Sequence, residues 1–459
     1  MLTQARIHDG PIYDVLIIGG GISGAALLYT LARYTDLGEI CLLEKHDSIA
    51  DLNSHGRNNS QTLHCGDIET NYSLEKAVNV QATARMVVNY CQRVPEQESL
   101  IFKYPKMVLG VGAKECAELR ERYARFHDHF PGMRLLEKNE IAEIEPRVTQ
   151  QRGNEELVAL AVLDEYSAVD FHALSNSFIH QARQERNKQV DVHLSTYVKD
   201  IRRHDGYYEV ISSRGTYRTK FVVVSAGAHS LLYAQRLGYG LNYSCLPVAG
   251  SFYYTPRVLN GKVYTVQNEK LPFAAIHGDP DVLVPEKTRF GPTALVLPLL
   301  ERHNLRTVGE FLRVFRPDWG VMKVLWDLFK VSDIRNYMFK NFLFEIPFVR
   351  RLLFLRDARK IVPDLTLKEL KFAKGIGGIR PVMIDKLNRK LHLGEAKINP
   401  GNGIIFNMTP SPGATSCLGN AEKDMRIIAD YLGCKIDETR FSAELLAQES
   451  SPKGCFSSE

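Results

Sequence analysis

Residues Tyr13 to Ile18 (YDVLII) form a nearly unbroken apolar run, too short for a helix and closed by glycines; this pattern predicts a buried strand. The next apolar stretch, AALLYTLARY, follows helical spacing, and GEICLLEK reads as a second strand ending at Glu44. Residues 76–155 are polar and helical in pattern, apart from an apolar strand candidate at Met107–Gly112. Val169–Ala182 (VDFHALSNSFIHQA) predicts an amphipathic helix. Short alternating strands follow, ending in FVVVSAG with a turn at Ala226-Gly227. Residues 235–300 again read as strands and 301–360 as helices. After GIGGIRP come short strands and the turn SPGAT, which opens a last helix; the final residues read as a flexible tail.

Between the first strand and helix lies Gly19-Gly20-Gly21-Ile22-Ser23-Gly24. Strand, glycine turn, helix, second strand and terminal acid together form a dinucleotide cradle. Gly19 permits the tight turn, Gly21 the approach of a pyrophosphate, and Gly24 close helix packing. The free N–H groups of the helix N-terminus attract phosphate. Glu44, twenty residues beyond Gly24, is placed to accept from a ribose diol. The chain therefore reads as α/β (α+β). A discontinuous Rossmann-like domain (1–75, 156–232 and 370–445) interleaves with a mixed-sheet substrate domain (76–155 and 233–369), followed by a tail at 446–459.

Composition narrows this little. The net charge of +5 is mild and does not call for a nucleic-acid partner. Eight scattered cysteines, with no C-x-x-C pair or zinc-type Cys/His spacing, fit free thiols in a reducing compartment. The N-terminus lacks the pattern of a secretory signal, and no apolar run approaches the ~20 residues of a membrane span. The expected location is the cytoplasm or the cytoplasmic face of the inner membrane.

Three stretches carry a resemblance: Gly19–Gly24, the V-V-V-S-A-G-A ending at Ala228, and G-G-I-R-P followed by S-P-G-A-T. In this order they resemble the FAD-dependent oxidoreductases of the D-amino-acid-oxidase type. Within that group, Ser54–His64 (SHGRNNSQTLH) is similar to the G-x-N-N-x-x-T-x-H stretch of malate:quinone oxidoreductases. His277-Gly278-Asp279 and Phe290-Gly291-Pro292-Thr293-Ala294 resemble that family's H-x-D and F-G-P-x-A elements. Arg57 and Gln61 depart from the commonest pattern, which marks a divergent branch. L-2-hydroxyglutarate dehydrogenases carry a related pattern. The resemblance implies oxidation of (S)-malate or another 2-hydroxy acid, with electrons passed to a membrane quinone. It implies FAD contacts at Gly19, Gly21, Ile22, Ser23, Gly24, Glu44, Lys45, Asn58, Asn59, Ser60, Val198, Ala226, Gly227, Gly378, Gly413, Ala414 and Thr415.

Oxidising a 2-hydroxy acid needs a base for the hydroxyl proton and a cation for the carboxylate, with the C2 hydrogen facing flavin N5. A histidine suits the base because its usual pKa lies near working pH. His277 is the first choice, with Asp279 to orient its ring, and His64 is the alternative. Arg380, after a glycine-rich turn, is the choice for the carboxylate, since a guanidinium matches it with two hydrogen bonds. A second carboxylate would need another cation, either Arg57 or Arg289. The N–H groups at Gly413-Ala414-Thr415 could stabilise negative charge on a reduced flavin. A flavin-containing binding protein without catalysis is the reading from another class; in it no hydroxy acid would reduce the flavin.

Residues 301–360 stand apart. They hold thirteen Lys and Arg against seven Asp and Glu, both tryptophans (Trp319 and Trp326) and many Phe and Leu. Such helices seat in the interface of an anionic membrane, or else cover the protein's own core.

Overall fold

The computed structural model describes residues 12–267, 275–392, 394–409 and 413–447. The N-terminal reading at 1–11, Ser411 and Pro412 of the last glycine turn, and most of the expected tail, 448–459, lie outside them. The strand Tyr13–Ile18 runs parallel to Glu39–Leu43 on one side and Thr216–Val224 on the other. Gln189–His193 and Ile404–Met408 extend the parallel sheet outward. The hairpin Val198–Arg203/Tyr208–Ser212 and the strand Ala396–Ile398 complete eight strands. The helix Ile22–Tyr34 is buried on nearly every side, because it packs on the sheet and against the helices Phe171–Arg183 and Cys417–Leu432. That explains its almost continuous apolar sequence.

A second eight-stranded sheet is mixed. Its order runs Lys371–Phe372, Tyr253–Pro256, Val284–Gly291, His277–Asp281, Lys262–Thr265, Lys106–Val111, Leu157–Val162, Arg134–Glu137. A third sheet pairs Tyr243–Ala249 with Ile379–Asp385 and adds Leu295–Val296 and Lys390–His392. The strand pairing cuts across the expected segment boundaries. Leu157–Val162 pairs in the second sheet, and Ile379–Asp385 in the third, although both fall in spans assigned from sequence to the nucleotide domain. Local apolar patterning gives strands but not partners, and the pairings here join residues far apart in the chain.

The helices Val308–Phe315, Trp319–Lys330, Ser332–Leu343 and Arg350–Ala358 fill the 301–360 region. No described helix is long and apolar enough to cross a membrane. The seven described cysteines are free, as the sequence suggested.

Candidate active site

The glycine turn is built by close approach. Gly19 has φ +109°, and a Cβ there would meet Ser225 O at 2.5 Å. A Cβ on Gly24 would lie 2.0 Å from Gly19 O, so only glycine lets the helix sit this near the strand. At Gly21, by contrast, an added Cβ would touch only Ser54 Oγ, at 3.3 Å. The space beyond it opens into a long cavity. The helix begins at Gly21 without a side-chain cap, although Ile22 N donates to Ser54 Oγ at 3.0 Å. Uncapped N–H groups facing a cavity form an anion site. Glu44 Oε2 accepts from Gly20 N at 2.6 Å and Oε1 from His46 N at 2.9 Å, which fixes the carboxylate at the cavity's edge.

The cavity encloses about 1680 Å³ of empty space, its open mouth included. Its lining includes Glu44, Lys45, Val198, Ala226 and Gly227, together with His64, Phe252, Gly378, Arg380 and Gly413-Ala414-Thr415. These residues fit FAD, offering a glycine cradle, an acid and the turn that opens a second helix. Of the residues expected to contact FAD, all but Gly24 line this cavity. Gly24 packs behind the turn. Asn58 and Asn59 line it too, but their amides hold the loop itself. Asn58 donates to Leu52 O and accepts from Gly377 N. Asn59 donates to Asn53 O and His55 O and accepts from Gln61 N. Gln61, one of the departures noted in sequence, has φ +51° and knits this loop to the second sheet through Asp281 Oδ1 and Val282 N.

His64 and His277 are placed very differently. His64 lines the cavity. Its Nδ1 lies 2.9 Å from Glu69 Oε1, which leaves Nε2 on the other edge of the ring. Burial works to raise the Glu69 carboxyl, but the hydrogen bond from His64 and nearby positive charge hold it below its usual range. Thr415 lies against the same stretch, accepting from His64 N and donating to Thr62 O.

The structure does not bring His277 or Asp279 to the cavity wall. His277 opens a strand of the second sheet and is 3% exposed. Its Nε2 faces Asp279 Oδ2 at 3.1 Å, its Nδ1 faces Ala275 O at 3.3 Å, and its ring stacks on Tyr264. Both nitrogens thus lie against protein atoms, and of the two candidate histidines the structure brings only His64 to the cavity. Asp279 does pair with His277 as expected. Burial opposes its charge, but His277 and Lys262 outweigh that and hold its carboxyl at about 2. Lys262, unforeseen in the sequence, bridges Asp279 Oδ1 at 3.5 Å and Thr62 Oγ1 at 3.2 Å. This buried polar face braces the cavity wall at Thr62.

Arg380 lines the cavity, and no described carboxylate pairs with it. Asp385 instead holds Asn388 and His392. Burial lowers the pKa of Arg380, and only Tyr337 acts against it. A half-buried guanidinium without a described counter-ion is a ready site for a substrate carboxylate. Neither cation considered for a second carboxylate reaches the cavity. Arg57 is exposed and paired with Asp51 at 2.9 Å. Arg289 is fully buried, donates to Gly56 O and lies over Phe252.

The family described as "FAD dependent oxidoreductase" matches residues 14–423. An L-α-glycerophosphate oxidase from Mycoplasma pneumoniae with FAD bound shares the fold, with a TM-score of 0.61 at 18% identity over 93% of this chain and 96% of that one. Fold and cavity together define an FAD-dependent oxidoreductase. A Campylobacter jejuni protein named "Probable malate:quinone oxidoreductase" is 50% identical over 95% of this chain and 99% of its own length. The malate:quinone oxidoreductase of Helicobacter pylori (strain ATCC 700392 / 26695) is 44% identical over 95% and 98%. The chain belongs to the malate:quinone oxidoreductase family.

Proposed function

We propose that the chain oxidises (S)-malate to oxaloacetate and delivers the electrons to a membrane quinone. The observation that carries the substrate reading is the counter-ion-free Arg380 guanidinium on the wall of an FAD-shaped cavity. Bound FAD supplies the two-electron acceptor. Arg380 holds the C1 carboxylate with its two-pronged guanidinium and so fixes where C2 points. His64 takes the hydroxyl proton at Nε2, while Glu69 holds the ring from Nδ1. The N-terminus of the helix Cys417–Leu432 directs positive dipole toward the cavity and favours negative charge there. Steady-state assay of (S)-malate against a panel of 2-hydroxy acids, with dye and quinone acceptors, tests this. A clear preference for another acid would move the substrate assignment.

The quinone remains in lipid, so the enzyme must reach it. Twelve of the twenty exposed large hydrophobic side chains among the described residues lie between Leu305 and Leu352, which argues against these helices merely covering the core. On Trp319–Lys330 the inner face buries Val321 and Val324, while Trp319, Met322, Trp326 and Phe329 project outward. Lys323 and Lys330 are exposed on the same helix. Aromatic side chains interleaved with exposed lysines suit the interface of an anionic bilayer, here the cytoplasmic face of the inner membrane. The next helix, Ser332–Leu343, exposes Phe339 and Phe342.

A further inference from the structure

The Phe290–Ala294 element takes no part in the chemistry described so far, yet Pro292 lines the cavity together with Gly250 and Phe252. Gly250 follows the strand Tyr243–Ala249, in which Val248 lies opposite Arg380 and Ala249 opposite Ile379. Its N–H donates to Gly378 O at 3.3 Å. A Cβ on Gly377 would lie 2.0 Å from Gly250 O, so the turn that leads to Arg380 rests directly on this backbone. Against Gly250 lies a polar cluster that does not itself line the cavity. Arg302 donates to Gly250 O through Nη1 and to Ser251 Oγ through Nη2. Ser251 Oγ donates to Glu345 Oε1, and Glu345 Oε2 faces Arg302 Nη2 at 3.8 Å. Thr293 Oγ1 donates to Glu345 Oε1 at 3.2 Å and accepts from Ser251 N at 2.8 Å. Beside it, Ala294 N donates to Asn341 Oδ1 at 2.8 Å. Ser251, Thr293 and Asn341 are buried. Asn341 belongs to the helix that exposes Phe339 and Phe342, and Glu345 lies just beyond its end.

We propose that Arg302, Thr293 and Glu345 are positioning residues: they fix the Gly250–Phe252 backbone, and through it the place at which Arg380 holds the substrate carboxylate. This rests on Arg380 binding substrate. A guanidinium grips a carboxylate through two parallel hydrogen bonds, so a small displacement of the backbone that carries it costs binding. Gly250 has no side chain to pack and stands just past the end of its strand, so hydrogen bonds from outside must hold it. Arg302 supplies one at Gly250 O and another at Ser251 Oγ. Glu345 supplies the countercharge to Arg302 and the acceptor for both hydroxyls. Thr293 closes the ring, since its N–H also donates to Ser251 O at 3.0 Å. The substrate wall is thus joined by hydrogen bonds to the outer helical layer.

The test is steady-state kinetics of the FAD-loaded enzyme with (S)-malate and a soluble dye. Thr293→Val keeps the shape of the side chain but loses its hydroxyl, and Thr293→Ser keeps the hydroxyl. Thr293→Val and Glu345→Gln should raise KM about tenfold, on the scale of one buried hydrogen bond, and lower kcat far less. Binding of succinate, which lacks the hydroxyl to be oxidised, should weaken by the same factor when followed by the flavin absorbance. Thr293→Ser should keep the wild-type KM. In an Arg380→Lys background Thr293→Val and Glu345→Gln should each add less than about threefold, because they act on the same contact. Wild-type KM in both variants overturns the proposal, as does an effect that multiplies in full with Arg380→Lys. A parallel fall of kcat and FAD content would show a merely structural role and overturns it too. If Glu345→Gln does not fold, the two Thr293 variants decide alone. Arg380→Lys by itself separates the two ideas. Unchanged kcat/KM there removes the substrate reading and the positioning together. A loss there, with wild-type KM in the other variants, removes only the positioning.

Discussion

Replacing Arg380 should produce opposite effects on catalysis and on the stability of the substrate-free protein. In the empty cavity its guanidinium has no described counter-ion, and burial lowers its pKa. A substrate carboxylate completes the pair. Removing one partner of a buried pair costs about 3–5 kcal/mol, and each ~1.4 kcal/mol is tenfold. Arg380→Met should therefore lower kcat/KM for malate by roughly two to three and a half orders of magnitude. Arg380→Lys keeps the charge but loses one prong. A hydrogen bond to a charged group is worth about 1.5–3 kcal/mol, so the loss should be about ten- to a hundredfold. Without substrate, Arg380→Met removes an unpaired, half-buried cation, and the Tm of FAD-loaded protein should rise. The assay pairs steady-state kinetics against a soluble dye with thermal unfolding of the holoenzyme. Unchanged kcat/KM, or a lower Tm in Arg380→Met, would show that this arginine has a structural partner and does not hold substrate.

Gly21→Val should give folded but colourless protein, because the side chain enters the pyrophosphate space while the turn tolerates a Cβ; FAD content after purification checks this. His64→Ala should lower kcat by roughly 10²–10⁴ with FAD retained, whereas His277→Ala should act mainly on stability; turnover and unfolding of both variants decide between them. Neutralising Lys323 and Lys330 together with Arg313 and Arg316 should weaken binding to anionic vesicles by about 1 kcal/mol per charge. It should slow reduction of a long-chain quinone and spare a soluble dye; equal loss with both acceptors would count against a membrane face. Burial raises the Glu145 carboxyl to about 7, although it accepts from Asn260 N and Gly261 N. A pKa raised on folding adds stability that is complete below the unfolded value of about 4.5 and lost as pH rises through about 7. The Tm should therefore fall between pH 5 and 8, and Glu145→Gln should flatten that slope; an unchanged slope would place its origin elsewhere.

The nucleotide end of the site was legible because its signal is local. Strand, glycines, helix and acid follow one another within Tyr13–Glu44, and each residue type answers a nearby steric or electrostatic need. Arg380 was legible for a related reason, since it follows a glycine turn that brings the backbone to the cavity. Which of the two histidines lines the cavity was not legible. His277 and Asp279 alternate along a buried strand and lie side by side, yet His-Gly-Asp reads in isolation like a turn. Which side they face is set by pairing with Lys262–Thr265 and Val284–Gly291, and a one-residue slip would reverse it. The period-two run of polar residues was the available signal. Lys262 and Lys106 were missed because a lysine at the start of a strand ordinarily points to solvent, and only tertiary pairing with Asp279 and Asp67 buries them. Glu69 lay in plain sight five residues after His64, but nothing local says that the loop folds back to join them.

The most direct test of the account is anaerobic mixing of the FAD-loaded enzyme with (S)-malate while the absorbance of oxidised flavin is recorded. The account predicts that malate bleaches the flavin fully, that oxaloacetate forms in equal amount, and that a membrane quinone then restores the oxidised spectrum. Bound flavin that malate leaves oxidised, at concentrations where another 2-hydroxy acid or none at all reduces it, would contradict it.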